Sequence, residues 1–199
     1  MANSFSNSNP LVTILICNYN YGRFLDDAIE SALAQTWKNT EIIVVDDGST
    51  DESRNILKKY EGRIRIILKE NRGQASAFNV GIMEARGEII CFLDSDDTCH
   101  PNRISLVVDK YKQGRWGLVC HDLDVIDGEG VSTKTKWTQY AGVNMAEGNP
   151  IDVVVDHDYS WIFSPTSGMS LPISLARKIF PLPPEKWKIS ADNPLAFAA

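Results

Sequence analysis

The chain has 199 residues, 43% of them hydrophobic and 23% charged, with a formal net charge of −6. That length suits one ordinary domain with a sizeable core. The mildly acidic balance excludes a general polyanion-binding surface, so nucleic acid is not an expected partner, and any diphosphate would have to be met by local cations.

In chain order, the small polar stretch before Pro10 reads as a flexible tail, residues 1–9. Residues 10–199 read as a single domain, with a regular half (10–120) and an irregular half (121–199) whose C-terminus is open to truncation. Leu11 to Cys17 is an apolar run, expected as a strand buried on both faces. Leu25, Ala28, Ile29, Ala32 and Leu33 then share one helical face. Ile42 to Val45 predicts a second strand. Ser49-Thr50-Asp51-Glu52 fits a capping box that opens a helix with Ile56, Leu57 and Tyr60 inward, and Gly62 stops it.

Arg63 to Leu68 alternates basic and apolar residues as a third strand would, Ala75 to Ala85 suits a helix ended by Gly87, and Ile89 to Leu93 predicts a fourth buried strand. Pro101 suits a helix start with Ile104, Val107, Val108 and Tyr111 on one face, Gly114 stops that helix, and Leu118 to Cys120 reads as a fifth strand. Successive βα units of this kind imply a mostly parallel sheet flanked by helices, an α/β chain whose ligands sit outside the carboxyl ends of the strands. The mixture of Gly, Pro, Trp and Asp after His121 has no clear period and suits a segment that shapes a pocket over the sheet edge.

Three of the first four strands end in polar clusters: Asn18-Tyr19-Asn20, Asp46-Asp47-Gly48-Ser49 and Asp94-Ser95-Asp96-Asp97. Five carboxylates on one rim repel one another unless a cation joins them, most simply a hard divalent ion with oxygen ligands. Asp51 and Asp97 also suit plain helix caps. The cysteines form no CxxC pair and read as reduced thiols. None of the three histidines has ligand spacing. No apolar run approaches the roughly 18 residues needed to cross a bilayer, and the start of the chain lacks a signal-peptide pattern. The expected location is cytoplasmic, with room for peripheral association at the inner face of the membrane.

Three segments in register, Thr13-Ile-Leu-Ile-Cys-Asn-Tyr-Asn20, Val45-Asp-Asp-Gly-Ser-Thr-Asp51 and Ala85-Arg-Gly-Glu-Ile-Ile-Cys-Phe-Leu-Asp-Ser-Asp-Asp97, resemble the family 2 glycosyltransferases. The resemblance is strong over residues 10 to 110. It implies the Rossmann-like GT-A fold and inverting transfer of a sugar from a nucleotide diphosphate sugar, commonly a UDP-sugar, to a hydroxyl on a glycan, lipid-linked or other acceptor. Asn18 and Tyr19 then resemble the site that receives the base. Asp46 and Asp47 resemble the pair from which a carboxylate accepts the uracil N–H, with Asp47 ahead and both retained. Asp94, with Ser95, resembles the ribose or metal contact and Asp96 the direct ligand of Mn or Mg, the Asp-x-Asp motif of the family. Arg72 resembles a diphosphate contact, with a solvated surface role equally open.

Phe78-Asn79 stands where many members carry Arg-Asn, so Phe78 is expected in the core and the phosphate contact of that Arg is in doubt. Asp192, in Ser190-Ala191-Asp192-Asn193, is the nearest match to the family's late Glu-Asp pair and the candidate catalytic base, with Ala191 replacing Glu. A helix cap is its competing role. Ser164 to Ser170 resembles the Gly-containing segment that lines the acceptor pocket. Two other readings remain open: a sugar-nucleotide binding module without turnover, and a haloacid-dehalogenase-like phosphatase built on Asp94-x-Asp96-x-Thr98.

Overall fold

The structure is a computed structural model and describes residues 9–114, 116–143 and 165–187. Its centre is a six-stranded sheet. The regular half supplies β1 (Val12–Asn18), α1 (Gly22–Leu33), β2 (Thr40–Asp46), α2 (Ser53–Lys58), β3 (Arg65–Leu68), α3 (Gln74–Glu84), β4 (Ile89–Asp94) and α4 (Arg103–Gln113). Then follow β5 (Val119–Cys120), β6 (Asp124–Ile126), β7 (Ser132–Lys136), α5 (Trp137–Ala141), a 3-10 turn at Thr166–Gly168, β8 (Met169–Pro172) and α6 (Ile173–Ile179).

The β-branched runs lie in the sheet interior because both faces are covered. On one side Leu15, Ile43, Val45 and Phe92 pack against α3 and α6; on the other Ile14, Ile16, Val44 and Cys91 pack against α1, α2 and α4. The alternation along β1 is the two-residue pleat, and each fully buried aliphatic side chain contributes on the order of 1.5–3 kcal/mol. Leu25, Ala28, Ile29 and Ala32 form the buried stripe of α1, at the spacing the sequence predicts. Gly81 lets α3 approach β1 closely: a Cβ there would lie 2.3 Å from a Leu15 methyl.

Parallel pairing of β1 with β2 and with β4 places Asn18 opposite Asp46 and Cys17 opposite Asp94. The three polar clusters therefore end at one level on one rim. The strand order is β3-β2-β1-β4-β8-β5, so the winding reverses between β1 and β4 and leaves a crevice at their carboxyl ends.

β8 inserts antiparallel between β4 and β5, pairing Cys91 with Ser170 and Val119 with Ser170. One local expectation changes. The capping box does not form, because α2 has no side-chain cap. Ser49 is drawn instead toward β1, where its hydroxyl accepts from the Asn18 side chain at 3.0 Å and the Asn20 amide at 2.9 Å. Phe78 lies in the core as expected, 1% exposed and packed edge-on against Phe92 and Phe180. Among the described residues no helix is long and apolar enough to cross a membrane, and all four cysteines are free thiols.

Candidate functional site

The crevice at the reversal point is a cavity of about 680 Å³. Asn18, Tyr19, Asp47, Arg72, Asp94, Ser95 and Asp96 all line it, drawn from the ends of β1, β2 and β4 and from the loop before α3. Asp46 does not. It is fully buried, and its carboxylate accepts from the Asn18 side chain at 3.0 Å, the Ser49 amide at 3.1 Å and Arg54 Nε at 3.3 Å. Asp46 thus closes the turn after β2, and of the two carboxylates there only Asp47 faces the cavity. Asp192 lies outside the described residues, as does Ser164.

Asp47 has a second task. Its oxygens accept the amide of Arg72 at 3.2 Å and that of Gly73 at 2.8 Å, and they pair with the Lys69 ammonium. The loop that carries Arg72 is therefore wrapped around this carboxylate. Gly48 makes the approach possible: its backbone sits at φ +82°, and a Cβ would fall 2.6 Å from the Asn71 amide. The Arg72 guanidinium is 70% exposed and only 3.9 Å from an exposed Glu70, a pair of little energetic weight.

The buried amide of Asn18 has a fixed orientation. Its nitrogen donates to Asp46 and Ser49, which leaves Oδ1 as an acceptor with no hydrogen-bond partner among the described residues. Tyr19 and Tyr21 beside it are each 46% exposed and line the cavity. On the opposite wall the Asp94 amide donates to the Ser167 hydroxyl at 2.8 Å, fixing the start of the acidic turn, and Ser95 is buried. Loss of solvent around it, and then the neighbouring Asp97 carboxylate, push the Asp96 carboxyl above its ordinary value.

The five-carboxylate rim expected from the sequence is divided by the fold. Asp46 and Asp47 are met by amides, Arg54 and Lys69, whereas Asp97 lines a different cavity. Asp94 and Asp96 remain as hard oxygen donors on one wall, a set that suits Mg or Mn when a diphosphate supplies further ligands. Among the described residues no group of three or more His, Cys, Asp or Glu could hold a metal by itself.

Cys17, Tyr21, Asn71 and Gln74 also line the cavity, and sequence reasoning did not select them. Proximity to Asn18 and Arg72 in the chain was the one available signal.

The sheet, with its reversal and acidic turn on one rim, is of the GT-A class, as its superposition on solved glycosyltransferase structures shows. The sequence profile described as Glycosyl transferase family 2 matches residues 13–166. The chain belongs to that family. It is 38% identical over 186 residues to an uncharacterized glycosyltransferase of Nostoc sp., covering 92% of this chain and 57% of that protein. It is also 38% identical over 124 residues to the glycosyltransferase GlyG of Streptococcus pneumoniae, covering 60% and 39% of the two chains. Among solved structures, S. aureus TarS 1–349 in complex with UDP superposes with a TM-score of 0.71 at 21% identity, over 93% of this chain and 53% of that one. The mannosyltransferase PcManGT from Pyrobaculum calidifontis, in complex with GDP-Man and Mn2+, gives 0.63 at 19% identity, over 94% and 51%. These structural likenesses establish the fold, and the chain spans little more than half of the Nostoc relative.

Proposed function

We propose that the cavity between β1 and β4 binds a nucleotide diphosphate sugar, with a UDP-sugar as the donor, and that the protein transfers the sugar to an acceptor hydroxyl with inversion. The observation that carries this reading is the shared register of β1, β2 and β4, which brings Tyr19, Asp47 and the Asp94–Asp96 turn around one cavity. Family membership, and the presence of UDP in the complex of the TarS neighbour, support it.

In this reading Tyr19 offers its ring face to the base. Asp47 holds the loop that presents Arg72, whose forked donors suit diphosphate oxygens. Asp94 and Asp96 would hold Mn or Mg, which when bound supplies positive charge to the leaving diphosphate. Asp192 accepts the proton of the acceptor hydroxyl; the oxygen bonds to the anomeric carbon on the face opposite the diphosphate as the carbon–oxygen bond to that diphosphate breaks. The nucleoside diphosphate departs with the bonding pair. That role for Asp192 rests on the resemblance of its sequence context. The phosphatase alternative has no support from the family match, and its motif here follows a fourth strand.

Calorimetry of UDP with the wild-type chain tests the binding step. Binding should strengthen with Mn, and Asp96→Ala should remove that dependence while leaving the fold intact. Equal affinity with and without Mn would sink the metal assignment, and no UDP binding under either condition would sink the donor assignment.

A further inference from the structure

A second cavity, of about 790 Å³, lies beyond the acidic turn, between α4, β5 and the β6–β7 hairpin. At its base is Arg103, the first residue of α4 and only 6% exposed. Its guanidinium donates from Nε to His121 Nε2 at 2.8 Å, from Nη1 to Cys99 Sγ at 3.3 Å and from Nη2 to the Phe92 carbonyl at 2.9 Å. All three acceptors can be neutral. The His121 ring is held in one tautomer, since its Nδ1 meets the Asp122 carbonyl at 2.9 Å and its Nε2 receives the arginine proton.

A guanidinium carries five N–H donors, of which three are used here. Among the described residues the hydrogen-bond acceptors of Arg103 include no carboxylate, and Asp97 acts on it only as a charge without a hydrogen bond. The other two acidic residues on the cavity wall have partners of their own. Asp122 accepts from the Leu123 and Thr138 amides and the Thr138 hydroxyl, and Asp124 pairs with His100 and Lys136. A buried cation without an adjacent counter-charge is unfavourable, and its place at a helix N-terminus, where the dipole is positive, adds to the demand for an anion. The rest of the wall includes Leu106, Val107, Leu123 and Ile126, a surface suited to an apolar or sugar body rather than to bulk water.

We propose that this second cavity binds the oxyanion of a ligand, a phosphate or a carboxylate, on the Arg103 guanidinium. The site is distinct from the donor cavity, although the two share the acidic turn: Asp96 lines one and Asp97 the other.

Calorimetric titration of the wild-type chain with inorganic phosphate and, separately, with propionate tests the site and distinguishes the two sources of the oxyanion. At least one should bind saturably, and Arg103→Met should weaken it tenfold or more, the loss of one charge-assisted hydrogen bond. Arg72→Ala should leave that binding unchanged. Should Arg103→Met fail to fold, the wild-type protein still decides the question, because the anion should shift the His121 ring nitrogen resonances in step with the calorimetric saturation. Absence of binding by both anions overturns the proposal, as does binding that leaves His121 unmoved. Binding abolished by Arg72→Ala would place the anion in the donor cavity and overturn it equally.

Discussion

Two adjacent aspartates at the end of β2 have opposite environments, and their substitution should separate stability from binding. Asp46→Ala leaves the Ser49 backbone amide and one of the two Asn18 side-chain N–H groups without an acceptor, at a cost of about 1–3 kcal/mol read as a lower urea midpoint. Asp47→Ala releases the Arg72–Gly73 amides and should weaken UDP binding more than it lowers the urea midpoint. The sequence placed both at the rim, and the resemblance put Asp47 ahead, the one that lines the cavity. Which one enters the cavity depends on the turn at Gly48 and on partners 25 residues downstream, and no local pattern reports those. Spacing and side-chain chemistry did make the rest of the rim legible, because strand ends are visible as the edges of apolar runs.

His121 gives a second prediction at this scale. Burial first, and then the adjacent Arg103 charge, push its pKa down to about 4. The unfolded chain, with an ordinary value near 6.5, then binds the proton more readily than the folded one. Its contribution to stability is therefore complete above about pH 6.5 and is lost as pH falls toward 4, by up to about 1.4 kcal/mol per pH unit. Thermal melts between pH 7 and 4 should show this decline, and His121→Gln should flatten it.

At the scale of elements, α3 shows how one side chain anchors a segment. Phe78 gives the helix an aromatic anchor between Phe92 of β4 and Phe180 after α6. Phe78→Ala should destabilise the fold by about 3–5 kcal/mol, visible as a large drop in melting temperature. This placement was readable because a large apolar residue in a helical stripe has few alternatives to the core. The start of α2 was not. A capping box is a local signature, and here Ser49 serves a partner 31 residues away in β1. A buried hydrogen bond across strands outweighed an exposed one at a helix end.

For the whole molecule, the regular half announced itself through repeated apolar runs, whereas β8 did not. Met169-Ser-Leu-Pro172 is four residues long, has no period to read, and pairs with Cys91 from nearly 80 residues away. The regular and irregular halves share one core: Met169, Leu171, Ala176 and Phe180 cluster with Leu15 and Phe92. Hydrogen exchange should show the β8 amides protected to the same degree as those of β4, as one cooperative unit.

The late arrival of β8 sets a constraint during synthesis. A ribosome releasing this chain makes β1 to β4 available for pairing long before the residues that flank the open side of β4 exist, and β5, although already made, has no partner of its own until they do. For that interval the nascent sheet presents an unpaired edge, a template for strands of neighbouring chains. Slower translation through the segment between β5 and β8 would prolong the exposure, and the yield of native protein should fall with it.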